Sequence, residues 1–266
     1  MVLFIDSFMF NGEELVKLRL EYLYNYVDYF YIVESIYTHS GIKKDTYYHL
    51  KYADWFTPYM SKIRFITIDK RIARTDSQPY NMQDTYTEEN SQRNVVRHVL
   101  LDTIKEDFIL ALCDYDELYD ISKLESKDKL FNTLQDSILL FRMKMYTYNF
   151  NFHMSDDWEM AYCISSTLLK KEDDLNKIRI HKQKNCIRLC NGWHFTNFSS
   201  AETLLRKLES FLHWDLNVPP YNNIDYVEYC MKHGLDIFRR DSVVIKKVDF
   251  DDVHNNYPEI FRKYYK

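Results

Sequence analysis

Only four glycines occur in the 266 residues, at positions 12, 41, 192 and 234. Neither GxGxxG nor GxxxxGK followed by Ser or Thr can be written with so few, which excludes glycine-rich phosphate cradles. A nucleotide diphosphate bound by this chain needs another source of positive charge, and a divalent cation is the obvious one. Basic blocks are also missing: the net charge is -5, and Lys and Arg are interspersed with Asp and Glu. Nucleic acid is therefore not an expected partner. No apolar run approaches the roughly 20 residues of a membrane span. The opening Met1–Asp6 lacks the basic region of a signal peptide. A cytoplasmic location is the expectation. Cys113, Cys163, Cys186, Cys190 and Cys230 contain no CxxC pair, and they read as reduced, mostly buried thiols rather than a disulfide framework or a metal site. Scarce glycine with abundant Tyr, Asn, Ile and Lys matches an AT-rich coding genome, viral or low-GC microbial; a viral source makes the location the host cytoplasm.

What is present is apolar and aromatic. Hydrophobic residues make up 46% and aromatics 17%, enough for a continuous core, so disorder is not expected. Short apolar runs alternate with amphipathic stretches. Val2–Ile5, Tyr29–Val33, Ile63–Ile68 and Phe108–Cys113 read as buried strands. Leu15, Leu18, Tyr22 and Tyr26 have helical spacing, with Asn11 as N-cap and Glu13 and Glu14 in the first turn. A second helix is expected from Thr87, with Val95, Val96, Val99, Leu100 and Ile104 on its apolar face. The polar stretch Lys70–Tyr86, with Pro79, reads as a surface loop. Further strands are expected at Ile138–Tyr148, Met160–Leu169 and Trp193–Phe198, then a helix capped by Ser199 or Ser200 with Leu204, Leu205, Leu208 and Leu212 facing the core. The pattern predicts an α/β fold with a Rossmann-like, mostly parallel central sheet flanked by helices.

Asp6, Glu34, Asp69 and Asp114 each close an expected strand. In open α/β sheets ligands bind outside the carboxyl ends of the strands. For Asp6 and Asp69 a turn-forming role is an equal alternative. Asp114, Asp116 and Glu117 form a tighter case: carboxylates this close repel and are costly to desolvate. A hard divalent cation, Mn²⁺ or Mg²⁺, relieves the repulsion, with diphosphate oxygens completing its shell. Arg93 precedes that strand and suits a carboxylate or phosphate. His194, beside Trp193, suits a metal. His213-Trp214-Asp215 ends the last helix, and Glu117 and Asp215 are candidate proton acceptors. Asp156 and Asp157 read as loop residues.

Asp6-Ser-Phe-Met-Phe-Asn11-Gly-Glu13-Glu-Leu15 and Leu18-Arg19-Leu20 resemble the opening of glycosyltransferase family 17. The resemblance continues through Val27-Asp28, Ile32–Ser35, Thr38, Ser40-Gly41 and Lys44. It returns at Glu89, Gln92-Arg93, Asp114–Glu117, Gly192-Trp-His-Phe195, Lys207-Leu208 and Ser210-Phe211 through His213. These blocks fall in the family's order. The resemblance implies a GT-A type fold over residues 1–266, with 1–120 as the nucleotide-sugar half and 121–266 as the acceptor half with a C-terminal helical extension. It implies an inverting, metal-dependent transfer of a sugar, GlcNAc from UDP-GlcNAc in the family, to a glycan hydroxyl. Asp114, Asp116 and His194 become the metal group. Glu34, Asp69, Arg93, Asp114 and Trp193 become the donor group, and Glu117 and Asp215 the catalytic carboxylates. An anchor like that of the family's Golgi members is not expected here, and the chain departs from the family in carrying Trp214-Asp215 where the family has an acidic residue directly after the helix-end His. Two other readings use the same residues: a metal-dependent phosphohydrolase or nucleotidyltransferase, and a non-catalytic glycan-binding homologue.

Overall fold

Four of the expected apolar runs become β1 (Leu3–Met9), β2 (Tyr29–Ser35), β3 (Ile63–Ile68) and β4 (Phe108–Leu112). The computed structural model describes residues 1–73, 81–181, 185–211, 213–252 and 255–265; Pro79 and Leu212 of the expected loop and helix face lie outside them, as does the Trp214 side chain. The four strands are parallel, in the order β3-β2-β1-β4. Successive side chains of a strand point to opposite faces, and here both faces are apolar. Phe4, Phe8, Phe30, Ile32, Ile109 and Ala111 enter one core, which also takes Leu20 and Leu23 of the Val16–Leu23 helix. Ile5, Tyr31, Val33, Leu110 and Leu112 enter a second, which takes Val96 and Leu100 of the Met82–Thr103 helix. A sheet buried on both faces explains why these strands read as continuous apolar runs rather than alternating ones.

Both helices depart from the sequence expectation at their N-termini. The first begins at Val16, with no side-chain cap. Gly12 takes φ +91, outside the helical region, so Asn11–Glu14 forms a turn and Asn11 does not cap. The second begins at Met82, five residues before Thr87, because Asn81 and Asp84 form a reciprocal capping box that satisfies each other's N–H.

The expected mostly parallel sheet is corrected to a mixed one. Beyond β4, the strands β6 (Ile138–Thr147), β7 (Phe152–Trp158), β8 (Tyr162–Ser165) and β10 (Ile245–Lys247) continue the sheet in the order β4-β8-β6-β7-β10, and each of these neighbouring pairs is antiparallel. The connections explain the change. A turn of four residues joins β6 to β7 and one of three joins β7 to β8, too short for the crossover that parallel neighbours require. A branch forms where β9 (Cys186–Thr196) runs parallel to β6 and antiparallel to the short β5 (Glu117–Leu118). Asp156 and Asp157 lie in β7, not in a loop. The expected Met160–Leu169 strand stops at Ser165, whose Oγ accepts the Leu168 N–H at 3.2 Å and caps a short helix.

The Ala201–Ser210 helix follows β9, capped by Ser200, with Leu204 and Leu208 buried. The chain closes on a 3₁₀ segment, Glu259–Tyr264, whose Phe261 packs edge-on against Tyr22 and Trp193. The result is one mixed α/β domain. No described helix is long and apolar enough to cross a membrane. Cys113, Cys163 and Cys230 are buried free thiols, while Cys186 is half-buried and Cys190 exposed.

Candidate active site

β1 and β4 are neighbours, and strand order reverses between them. Outside their carboxyl ends lies a cleft of about 340 Å³, within the usual range for a small-molecule site. Its floor is the turn that joins β4 to β5, Asp114–Asp116.

That turn is held from every side. The Asp114 N–H donates to Glu117 Oε2 at 2.6 Å, and the Glu117 N–H donates back to the Asp114 carbonyl at 3.0 Å. Beneath it, Arg19 donates to the carbonyl oxygens of Asp114 and Glu117, at 3.1 and 2.6 Å. Arg19 is itself fixed by Asp6, through paired bonds of 2.6 and 2.8 Å. Both side chains are fully buried. Asp6 therefore stands inside β1, anchoring the arginine under the turn, rather than at a strand end.

Glu117 is also fully buried. Arg179 donates to its two oxygens at 2.7 and 3.0 Å, and the Trp158 indole N–H donates to Oε1 as well. With both oxygens taken, the expected proton acceptor is a brace for the turn. Asp215 is exposed in a 3₁₀ segment and does not line the cleft. Neither carboxylate expected to take the proton is brought to the site.

Asp114 and Asp116 do reach the cleft, and their surroundings differ. Asp114 accepts from Arg93 at 2.9 Å and from Arg179 at 2.5 Å. Burial works against its ionised form, but the Arg179 and Arg93 guanidinium groups outweigh it and hold the carboxyl well below the usual carboxylate range. Asp116 is nearly buried and, among the described residues, pairs with no arginine; its Oδ1 lies 3.7 Å from His194 Nε2. His194 stacks on Trp158, with ring centroids 4.4 Å apart. Its Nδ1 is buried without a hydrogen-bond partner among the described residues, the kind of polar atom that a ligand completes.

The position of His194 depends on Gly192. At φ +88, a Cβ there would stand 2.2 Å from the Leu118 carbonyl oxygen and 2.7 Å from Tyr119 Cα. Only glycine lets β9 approach β5 this closely, in the register that sets His194 opposite Glu117. Trp193, one residue earlier, faces the other way. It is buried among Tyr22, Tyr257 and Phe261 and donates to the Asn255 carbonyl at 2.9 Å. Trp193 is core, not cleft lining.

Two further expected donor residues also fall outside the cleft. Glu34 is buried at the end of β2 and accepts from Lys44 Nζ at 2.6 Å, from the Tyr48 and His49 N–H groups, and from the His49 ring. It fixes the loop that brings Lys44 to the cleft wall. Asp69 is exposed and does not line the cleft. Arg93 does line it, buried, with its Nε lacking a partner.

Other cleft residues had no expected role. Lys44 and Lys207 join Arg93 in bringing positive charge. Glu13 brings a carboxylate whose Oε2 accepts the Asn11 N–H at 2.6 Å. Burial pushes the Glu13 carboxyl up to about 7, against the lowering effect of that N–H and of Lys207. Lys44, Glu13 and Lys207 all stand in the sequence blocks quoted above; Arg179 does not, and nothing local to its helix marks it.

The donor chemistry fits a divalent cation. Asp116 Oδ1 and His194 Nε2 are separated by a distance that two donors to one cation can reach, and Asp114 lines the same cleft. Among the described residues, no three His, Cys, Asp or Glu side chains form a ready-made cage. Such a set suits a cation that keeps one or two protein carboxylates and fills its shell from phosphate and water.

The family model described as glycosyltransferase family 17 matches residues 3–263. Among solved structures, S. aureus TarS (residues 1–349) is similar at 10% identity and a TM-score of 0.42, over 85% of this chain and 69% of that one. Comparison with curated proteins found no match.

Proposed function

The chain belongs to glycosyltransferase family 17, and from that premise we propose that it is a GT-A type, metal-dependent, inverting transferase that moves a sugar from a UDP-sugar to a glycan hydroxyl. The family resemblance supports UDP-GlcNAc as the donor. One observation carries the reading. One cleft at the β1–β4 switch point is lined by Asp116 and His194 and also by Arg93, Lys44 and Lys207, so donors suited to a cation share one space with groups suited to an anion.

Asp116 and His194 would hold Mn²⁺ or Mg²⁺, with Asp114 beside them. When bound, the ion supplies charge to the departing diphosphate. The rest of the reading falls to the chain itself. Lys44 and Lys207 bring ammonium groups to where the phosphates lie, without a glycine-rich loop. Arg93 and Arg179 keep Asp114 ionised and immobile, so the cleft wall is organised before the donor arrives. The stacked Trp158 and His194 rings make a flat surface against which a pyranose or a base can lie. The acceptor oxygen attacks the anomeric carbon in one displacement, its proton passes to a carboxylate, and the bond to the diphosphate breaks.

Calorimetric titration with UDP, with and without Mn²⁺, tests the proposal in the wild type and in Asp116→Ala. The wild type is expected to bind UDP at least about tenfold more tightly with Mn²⁺, a gain of about 1.4 kcal/mol. Asp116→Ala should fold and lose that gain. Mn²⁺-independent UDP affinity, or turnover of nucleoside triphosphates without a sugar acceptor, overturns it; the second result favours the phosphohydrolase reading.

A further inference from the structure

The cleft has a side notch. A concavity of about 20 Å³ opens beside it, and the two share Asn11, Glu13, Tyr115, Lys207 and Ser210. The outer side of the notch is made by Phe198, Ser199 and Thr203, at the start of the Ala201–Ser210 helix. Its volume is close to what one water molecule needs, so it accommodates a single hydroxyl or water. Glu13 lines both spaces, one holding the cation and diphosphate residues, the other fitted to one oxygen.

Resting on the donor-site reading above, we propose that Glu13 is the proton acceptor of the transfer, and that the attacking hydroxyl reaches it through this notch, along the N-terminal end of the Ala201–Ser210 helix. In the step, the hydroxyl proton passes to Glu13 and the oxygen lone pair forms the bond to the anomeric carbon. The anomeric C–O bond to the diphosphate breaks, and its electron pair leaves with the nucleotide. The geometry suits the role. Oε2 is oriented by the Asn11 N–H at 2.6 Å, on a turn that Gly12 bends away from the following helix, so the carboxylate is aimed before substrate binds. Neither Glu117, which is sealed by Arg179, nor Asp215, which is exposed outside the cleft, has that access.

The charges facing Glu13 from the packed elements are Lys207 and Arg206 on the Ala201–Ser210 helix, Lys44 on the loop after β2, and Asp116 on the β4–β5 turn, with the Tyr115 phenol beside it. Burial favours the neutral acid and the lysines favour the ion, which leaves the carboxyl in the range where a general base works best at neutral pH.

Water is the probe acceptor, because the notch holds one. Wild type, Glu13→Gln and Glu13→Asp are incubated with UDP-GlcNAc and Mn²⁺, and released UDP is followed against pH. UDP affinity is measured in parallel by calorimetry, which also reports folding. The wild type is expected to hydrolyse the donor with an acid limb near pH 7. Glu13→Gln should lose about 100-fold in rate with UDP affinity within about twofold, and Glu13→Asp should recover part of the rate. A Glu13→Gln rate within about threefold of wild type, or an affinity loss matching the rate loss, overturns the role alone. A wild type that binds UDP but releases none from UDP-GlcNAc at pH 8 overturns it too, since a base beside a one-water notch must activate water. A wild type that does not bind UDP overturns the donor-site reading and this role with it.

Discussion

Arg179 donates to both carboxylate oxygens of Glu117, at 2.7 and 3.0 Å, and its Nη2 reaches on to Asp114 at 2.5 Å. One guanidinium thus joins the buried brace of the acidic turn to the carboxylate that the turn presents. Burying two such ions is costly unless they stay paired. Desolvation disfavours the charged arginine, yet the two carboxylates prevail and raise its pKa further above its ordinary value.

Removing the partner exposes that cost. Arg179→Met should destabilise the fold by about 3–5 kcal/mol, because Glu117 is left charged in a dry site. Urea denaturation at neutral pH measures it. The double change Arg179→Met with Glu117→Leu should recover most of the loss, since no orphaned charge then remains. A single variant within about 1 kcal/mol of wild type would show that the pair contributes little.

Much of the scaffold was legible because period and composition have local causes. The β1–β4 runs are apolar on both faces, and only strands covered on both sides need to be. The acidic triplet was legible for a similar reason, since repulsion between neighbouring carboxylates demands a partner. What that partner would be was not. Arg19 and Arg179 lie 95 and 65 residues from Asp114, and no spacing rule links them to it. Glu117 was misread as reactive for the same reason: its sequence neighbours are those of a metal site, while its contacts are those of a buried salt bridge. Glu13 was read as a first-turn helix residue, and Gly12's positive φ removes it from the helix. The antiparallel half of the sheet was hidden because β6, β8 and β9 are as apolar in places as a parallel strand, and only the short connections betray their direction.

Gly192 offers a test of how the site is positioned. An alanine there must adopt φ near +88 and also displace the Leu118 carbonyl and Tyr119 backbone. Strain and overlap together should cost more than about 2 kcal/mol. Because the strain falls between β5 and β9, His194 should shift with it, and Mn²⁺-dependent UDP affinity should drop more than stability alone explains. Gly234→Ala is the control. Its methyl meets the Phe152 ring rather than backbone, at a helix end far along the chain, so it should lower the melting temperature and leave UDP affinity unchanged. Equal losses of affinity in the two variants would remove Gly192 from any positioning role.

Glu13 should reveal itself without any substrate. Its carboxyl titrates at about 7 in the folded chain against 4.5 ordinarily. Between those values the folded state holds the proton that the unfolded state has released. Stability attributable to Glu13 therefore falls as pH rises from 4.5 to 7, and the full cost is present above 7. Glu13→Gln keeps the size of the side chain and removes the titration. Relative to wild type, its melting temperature should rise with pH, with little difference near pH 4.5 and a gain of several degrees at pH 8, for a linkage of up to about 3 kcal/mol. A difference that stays flat across that range would mean that the carboxyl is not desolvated by the cleft wall. A rise in stability that accompanies a loss of turnover is the pattern of a residue kept in an unfavourable setting for its chemistry, and a purely structural Glu13 cannot produce it.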